Sequence, residues 1–412
     1  RSMILVNQVK IPLKAKKYLL DCLHSTWIYQ QIKHVNLNKI DWVTLIILLA
    51  SIFYLIFNNI NDLDLPFYWD TAWFLIPASK LIHETGSILS YLKSAGSDYP
   101  HTFLLPLTLS FAFYFTNPIR AIHILGIIFS IAFLVISWQL SQHFLGKKYR
   151  SLILLLIVSN PIFLSQTFLV YFEIIGLALR LFVLKIFLEK KPLAFLFLSI
   201  VSVLTRIDSF IEISMLIAFG FFYEKKELKQ KIKWIIKYYL PLVLLVIAWF
   251  VANKLINGWW FYSPARYYDE KHISSLLEAL RVTFIDQGRY VLSIVSIVGM
   301  SILFFQNRLK SIFNKKLISL AIMTLPALLM IATLGYLLTR HALPAIIFSY
   351  YFLLIILNKI KIKNKFLIVT MIVVLISFIQ LINVNNCISP NKEDCLLVKN
   401  AIREEIKLNI IQ

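Results

Sequence analysis

The chain has 412 residues, 59% of them hydrophobic and only 15% charged, with a mean hydropathy of +0.75. Soluble domains are about half apolar and about a quarter charged, so no water-soluble fold could bury this much apolar chain. The 42 Lys and Arg against 21 Asp and Glu leave a formal charge of +21. The positive residues sit in short runs between apolar segments, which is the cytoplasmic excess of a membrane protein and argues against a nucleic-acid partner.

Apolar runs able to cross ~30 Å of hydrocarbon recur along the chain. Residues 1–40 form a basic cytoplasmic arm, too broken for a cleavable signal peptide. Residues 41–385 read as one transmembrane domain, and 386–412 as a short external tail. The basic runs set the orientation. Trp42–Ile60 is the first crossing, and Asn61–His101 is an external loop. In that loop Asp70–Tyr91 has apolar residues at helical spacing beside Lys80, His83 and Glu84, which predicts an interfacial helix. Thr102–Phe115, interrupted by Pro106, is expected to insert only partly, because the charge rule allows an odd number of crossings before the basic run at Lys147–Arg150. Ile119–Phe144 supplies that crossing.

Further crossings are predicted at Ser151–Tyr171, Ile174–Leu188, Pro192–Leu204, Ser209–Tyr223 and Tyr239–Ile256. After a second external loop, Asn257–Asp286, come Tyr290–Phe305, Leu317–Leu334, Ala342–Leu357 and Phe366–Asn383. The expectation is an all-α transmembrane bundle of about eleven crossings, or about 11–13 membrane helices, with interfacial helices in the first external loop. Cys387 and Cys395 lie in the external tail, where a disulfide between them is an open possibility.

Ionisable groups near membrane depth are costly and so are functional candidates. On the predicted outer side they are Asp62, Asp64 and Asp70, then Asp98 and His101, Glu173, and Arg206, Asp208 and Glu212. Arg266, Asp269, Glu270, Arg340 and His341 complete the set. The inner side carries mostly solvated lysines, and this asymmetry points to chemistry at the outer face. Asp70 opens the amphipathic segment, so it is either an N-cap carboxylate or a general base in a cleft walled by Tyr68, Trp69, Trp73 and Tyr99. Glu173 is either a boundary residue or a second acid that orients an acceptor or shares a divalent ion with Asp70. Arg206 either pairs locally with Asp208 or clamps a phosphate; Arg340 and His341 meet lipid headgroups or a substrate phosphate. His101 is an interfacial or phosphate-side histidine. Arg266, beside the aromatic run Trp259–Tyr262, belongs to an anchor or to a loop guiding a lipid or sugar.

Tyr68-Trp69-Asp70-Thr71-Ala72-Trp73, Tyr99-Pro100-His101, Phe172-Glu173, Leu204-Thr205-Arg206-Ile207-Asp208 and Arg340-His341-Ala342-Leu343-Pro344 follow one another in the order found in a known superfamily. Together they resemble the GT-C polyprenyl-phosphate-sugar glycosyltransferases, most like the bacterial relatives of protein O-mannosyltransferases and aminoarabinose transferases. The resemblance implies an inverting transfer of a monosaccharide, outside the cytoplasmic membrane, from a polyprenyl-phosphate donor to a lipid, glycan or protein acceptor. It implies Asp70 as base, Glu173 as auxiliary acid, and Arg206 and Arg340 as donor-phosphate ligands. Thr71 stands where the family commonly has a second acid, so the need for a divalent cation stays open.

Physical chemistry favours a lipid donor independently. Each buried CH₂ contributes ~0.8 kcal/mol to anchoring, so the enzyme must bring its site to the interface. The phosphate leaving group carries its own activation, which leaves charge stabilisation and acceptor deprotonation to the protein. The alternatives are a transporter or flippase for a lipid-linked saccharide and an O-antigen ligase or polymerase.

Overall fold

The computed structural model describes residues 42–67, 71–94, 102–146, 149–170, 172–223, 227–258, 260, 276–326, 329 and 339–382. The basic arm, the tail and all three cysteines lie outside these residues. The chain divides into units Arg1–Ile46 and Ile47–Gln412; of the first, only the opening of the first helix is described.

Every regular element among the described residues is a helix. In chain order they are α1 (Trp42–Ile60), a π-turn (Thr71–Leu75) leading into α2 (Ile76–Thr85), α3 (Ile88–Ser94), α4 (Leu104–Ala112) and α5 (Pro118–Leu145). Next come α6 (Leu152–Val158), α7 (Pro161–Leu169), α8 (Phe172–Leu188), α9 (Pro192–Thr205), α10 (Ser209–Tyr223), α11 (Leu228–Tyr238) and α12 (Leu240–Asn257). The last five are α13 (Leu276–Phe284), α14 (Arg289–Phe305), α15 (Lys315–Thr324), α16 (Leu343–Lys359) and α17 (Lys365–Ile382).

Local chemistry sets many of the boundaries. Pro118, Pro161 and Pro192 take first-turn positions where no N–H bond is lost. The Asn117, Asn160 and Asn314 side chains accept from first-turn N–H groups of α5, α7 and α15. Gly86 and Gly258, both left-handed, end α2 and α12.

Six helical stretches are long and apolar enough to cross a membrane: Trp42–Ile60, Pro118–Leu145, Leu228–Asn257, Asp286–Phe305, Arg340–Lys359 and Lys365–Ile382. A seventh arises if α6 and α7, bent by 64° at Ser159–Asn160, form one broken span. This is the make-up of a multi-pass membrane protein. The other predicted crossings fall on shorter helices or reach outside the described residues. α8, α9 and α10 have 17, 14 and 15 residues, at or below the short end of the ~17–25 residues of a spanning helix, and the predicted Leu317–Leu334 crossing runs past α15 into residues outside those described. The predicted Thr102–Phe115 insertion is the nine-residue α4, about 13 Å long, packed on α2 and α5.

The core centres on α16, whose span is 78% buried, against 11% for Leu228–Asn257 at the edge. Gly126 permits a close crossing of α5 and α7. A Cβ there would lie 2.5 Å from Val170 Cγ2 and 2.9 Å from the Thr167 carbonyl oxygen. A second, smaller core joins the first loop to the start of α8. It includes Phe67, Phe74, Leu75, Tyr91, Leu105 and Phe172.

Contacts sort the helix ends into two groups. At one end Lys316 Nζ donates to the His143 carbonyl (2.8 Å), Asn358 Nδ2 to that of Leu145 (3.3 Å), and Arg308 Nη1 to that of Lys359 (3.0 Å). This end gathers the basic loops. At the other end Thr71 Oγ1 donates to the Leu169 carbonyl at 2.6 Å, and Thr102 Oγ1 donates to that of Leu204. Single cysteines placed at Lys310 and Asp64, in a cysteine-free background, test this sorting. A membrane-impermeant thiol reagent is expected to label Lys310→Cys from the cytosolic side only and Asp64→Cys from the opposite side only. Labelling of both from one side would rule out the two-ended arrangement.

Candidate functional site

The end of the bundle opposite the basic loops holds a cluster built from residues at three helix ends. Val170 closes α7 in a left-handed conformation (φ 53), which is strained for a β-branched residue. α8 then begins at Phe172, with Glu173 in its first turn, where the helix dipole favours a carboxylate. Arg206 and Asp208 lie in the short turn between α9 and α10. Arg340 and His341 lie in the 3₁₀ turn Thr339–Ala342 that leads into α16.

These five side chains meet. Glu173 Oε1 accepts from Arg206 Nη1 at 3.1 Å, and it lies 3.6 Å from both Arg340 Nε and His341 Nε2. Arg206 also forks onto Asp208, with Nε to Oδ1 at 3.0 Å and Nη2 to Oδ2 at 2.8 Å, the bidentate geometry that suits a guanidinium. Glu173 is 8% and Arg340 4% exposed, so the charges are compensated within the cluster. Burial works against the Arg206 charge, but Asp208 and Glu173 more than offset it and hold the group cationic.

Arg206 reaches Glu173 along the bare backbone of α8. A Cβ on Gly176 would sit 2.5 Å from Arg206 Cδ, so the glycine one turn below Glu173 makes room for the arginine stem. Sequence reasoning did not single out Gly176; its only signal was a small residue three positions after an acid in an otherwise bulky helix.

Sequence reasoning also missed the partner of Glu212. Arg180 Nη1 lies 2.6 Å from Glu212 Oε1, and both side chains are buried. Arg180 stands two turns along α8 from Glu173. Asp64 lies elsewhere at the same end, paired with Arg120 at 2.5 Å and 2.7 Å on an exposed surface. That hydrogen bonding holds the Asp64 carboxyl below its usual range.

Of the other predicted site residues, Tyr68, Trp69, Asp70, Tyr99, His101 and Arg266 lie outside the described residues. Trp73 stands in the Thr71–Leu75 turn, but its side chain is not among those described. Several described neighbours of these residues are docked near the cluster. Thr71 bonds the Leu169 carbonyl, four residues before Glu173. Thr102 bonds the Leu204 carbonyl, two residues before Arg206. Phe74 packs on Phe172, ring centroids 6.2 Å apart.

The surroundings of Glu173 do not suit a divalent cation, since two guanidinium groups would repel it. Among the described residues no three acids, histidines or cysteines are grouped to hold a metal. The cluster offers instead two arginines whose carboxylate partners an incoming phosphate could replace.

Removing the Glu173 charge leaves two buried guanidinium groups side by side. Glu173→Gln is expected to destabilise the protein by about 3–5 kcal/mol, read as a fall in the thermal unfolding midpoint in detergent. Asp64→Asn, which breaks the exposed pair, is expected to leave the midpoint unchanged. Equal midpoints for Glu173→Gln and the parent protein would show that the cluster is not electrostatically coupled. Compared with protein-family models, curated proteins and solved structures, the chain matches none.

Proposed function

We propose that the chain is a membrane glycosyltransferase. It moves a monosaccharide from a polyprenyl-phosphate donor to an acceptor at the external face of the cytoplasmic membrane. The observation that supports this most is the meeting of Arg206, Arg340, His341, Glu173 and Asp208 at the end of the bundle away from the lysine-rich loops. A phosphate on a lipid that cannot leave the bilayer needs cationic donors at the interface, and this cluster provides them.

In this reading the donor phosphate takes contacts from Arg206 and Arg340 that Glu173 and Asp208 hold in its absence. Asp70 accepts the proton from the acceptor hydroxyl or amine as that heteroatom bonds the anomeric carbon. The bond from that carbon to the phosphate oxygen breaks on the opposite face, and polyprenyl phosphate leaves with the electron pair. The sugar configuration inverts. Glu173 keeps the arginines apart and aimed, and no metal ion is needed to stabilise the leaving phosphate. The docking of Thr71 and Thr102 beside the cluster supports assigning the first external loop to the same site.

A second reading, a flippase for a lipid-linked saccharide, draws support from the buried Arg180–Glu212 pair deeper in the bundle, because ionisable groups at such depth often line a translocation path.

Purified protein incubated with radiolabelled polyprenyl-phosphate sugars and a panel of acceptors separates the two. The transferase reading expects labelled acceptor, a drop of about a hundredfold to ten-thousandfold in rate for Asp70→Asn, and retained lipid binding. Arg206→Lys is expected to raise the donor concentration needed for half-maximal rate about tenfold. Undiminished transfer by both Asp70→Asn and Asp70→Ala would remove Asp70 as the base. Movement of labelled lipid across vesicles without any transfer would establish the flippase instead.

A further inference from the structure

The basic end of the bundle contains a feature that sugar transfer does not use. Between the ends of α8 and α10, the start of α9 and the flank of α11 lies a cavity of about 180 Å³. Its apolar wall includes Phe187, Phe195 and Trp234, and its lining also carries Lys190, Lys191 and Lys231.

The chain builds this combination deliberately. At 100° per residue, α11 places Lys229, Lys233 and Lys237 on one exposed face, while Leu228, Ile232, Ile235 and Ile236 cover the other. Lys231 breaks that pattern. It falls on the arc of Trp234, Ile235 and Tyr238, the less exposed side of the helix, and its ammonium stands 5.2 Å from the Phe221 ring centre. Lys190 is held at φ 57 in the tight turn between α8 and α9. In that turn its N–H donates to the Phe187 carbonyl at 3.1 Å and that of Lys191 to the Ile186 carbonyl at 3.2 Å.

The local charge does not cancel. One carboxylate, Glu189, serves both Lys185 at 2.8 Å and Lys191 at 2.6 Å. Among the described residues no acid pairs with Lys190 or Lys231. Around this region Leu193, Phe222, Ile232 and Ile236 are exposed apolar side chains, the surface that acyl chains cover in a bilayer.

We infer that this cavity binds an anionic phospholipid of the surrounding leaflet, its phosphate among Lys190, Lys191 and Lys231 and its upper acyl chain against Phe187, Phe195 and Trp234. Charge complementarity selects an anion, and the aromatic wall selects an amphiphile over a soluble ion. The site stands apart from the proposed transferase cluster and does not rest on that function. α11 flanks the headgroup site, and its exposed lysines draw the anionic leaflet towards it.

Native mass spectrometry of the detergent-purified full chain, titrated with phosphatidylglycerol and separately with phosphatidylcholine, tests the site. The expected result is preferential retention of phosphatidylglycerol. Lys190→Gln and Lys231→Gln should each weaken it about fivefold, whereas Lys310→Gln, at the same end but away from the cavity, should not. Because variants can misfold, hydrogen exchange on the unaltered protein supplies a second measurement. Amides of residues 228–238 are expected to slow with phosphatidylglycerol and not with phosphatidylcholine. Equal retention of the two lipids overturns the proposal. So does an equal loss with Lys310→Gln, unchanged exchange in 228–238, or displacement of the lipid by millimolar inorganic phosphate, which would mark a soluble-anion site.

Discussion

Glu173 is 8% exposed, and its carboxylate touches groups from two other chain reversals, Arg206 before α10 and Arg340 and His341 before α16. A carboxylate taken out of water at that depth persists as an anion only if cations meet it there. The contact therefore fixes where three turns must lie relative to one another, although they are separated by long stretches of sequence. Bringing Arg206 to Glu173 sets the end of α9 beside the start of α8, and bringing Arg340 there sets the start of the buried α16. The geometry of the proposed phosphate site follows from this single requirement.

Two glycines make the arrangement sterically possible. Gly176 gives the Arg206 stem a bare backbone to cross, and Gly126 gives α7 and the strained Val170 a bare backbone on α5. Val170 takes up its left-handed conformation immediately before the segment that begins α8, so backbone strain is stored beside the acid that organises the cluster. The Phe67–Phe74–Phe172 core then attaches the first loop to the start of α8. An apolar contact thus sets the placement of a loop whose predicted role is polar.

The helical class, the positions of most helices and the gathering of lysines at one end were legible in the sequence, because apolar run length and basic loops are local signals. The number of spans was less legible. α8, α9 and α10 read as crossings because they are apolar, and they run between the Glu173–Arg206 end and the Lys190–Lys191 end with fewer residues than a full-length span; part of the apolar character of α8 comes from packing inside the protein, as its buried Leu177, Leu181 and Leu184 show. Arg180 was invisible for a different reason. An isolated arginine inside an apolar helix has no local partner, and Glu212 is 32 positions away, so only tertiary structure brings them together. Glu173, Arg206, Asp208 and Arg340 could be nominated one by one, since each ends or begins an apolar run. That Arg206, Arg340 and His341 converge on one oxygen of Glu173, with Asp208 held by Arg206, could not be read from spacing. The Asp70 motif and its aromatic neighbours lie outside the described residues, so their nomination rests on the sequence resemblance and on the docking of Thr71 and Thr102.

The two ends of the bundle handle charge in opposite ways, and this difference organises the molecule. At the basic end, Lys229, Lys233 and Lys237 are exposed, so their counter-charge comes from outside the protein. At the other end the acids and arginines of the Glu173 cluster are buried and neutralise one another inside the protein. At the first end an anion meets lysines that no acid among the described residues holds, so it binds without displacing a partner. At the second, it must displace a carboxylate from an arginine, which makes binding dependent on how well the newcomer matches the geometry of the group it replaces. A phosphate presents the same planar pair of oxygens to a guanidinium as Asp208 does, whereas a neutral sugar or an acyl chain does not. In the proposed function, selectivity for a phosphate-bearing ligand at that end would arise from the self-pairing of the cluster, with the internal carboxylates serving as the reference against which any ligand competes.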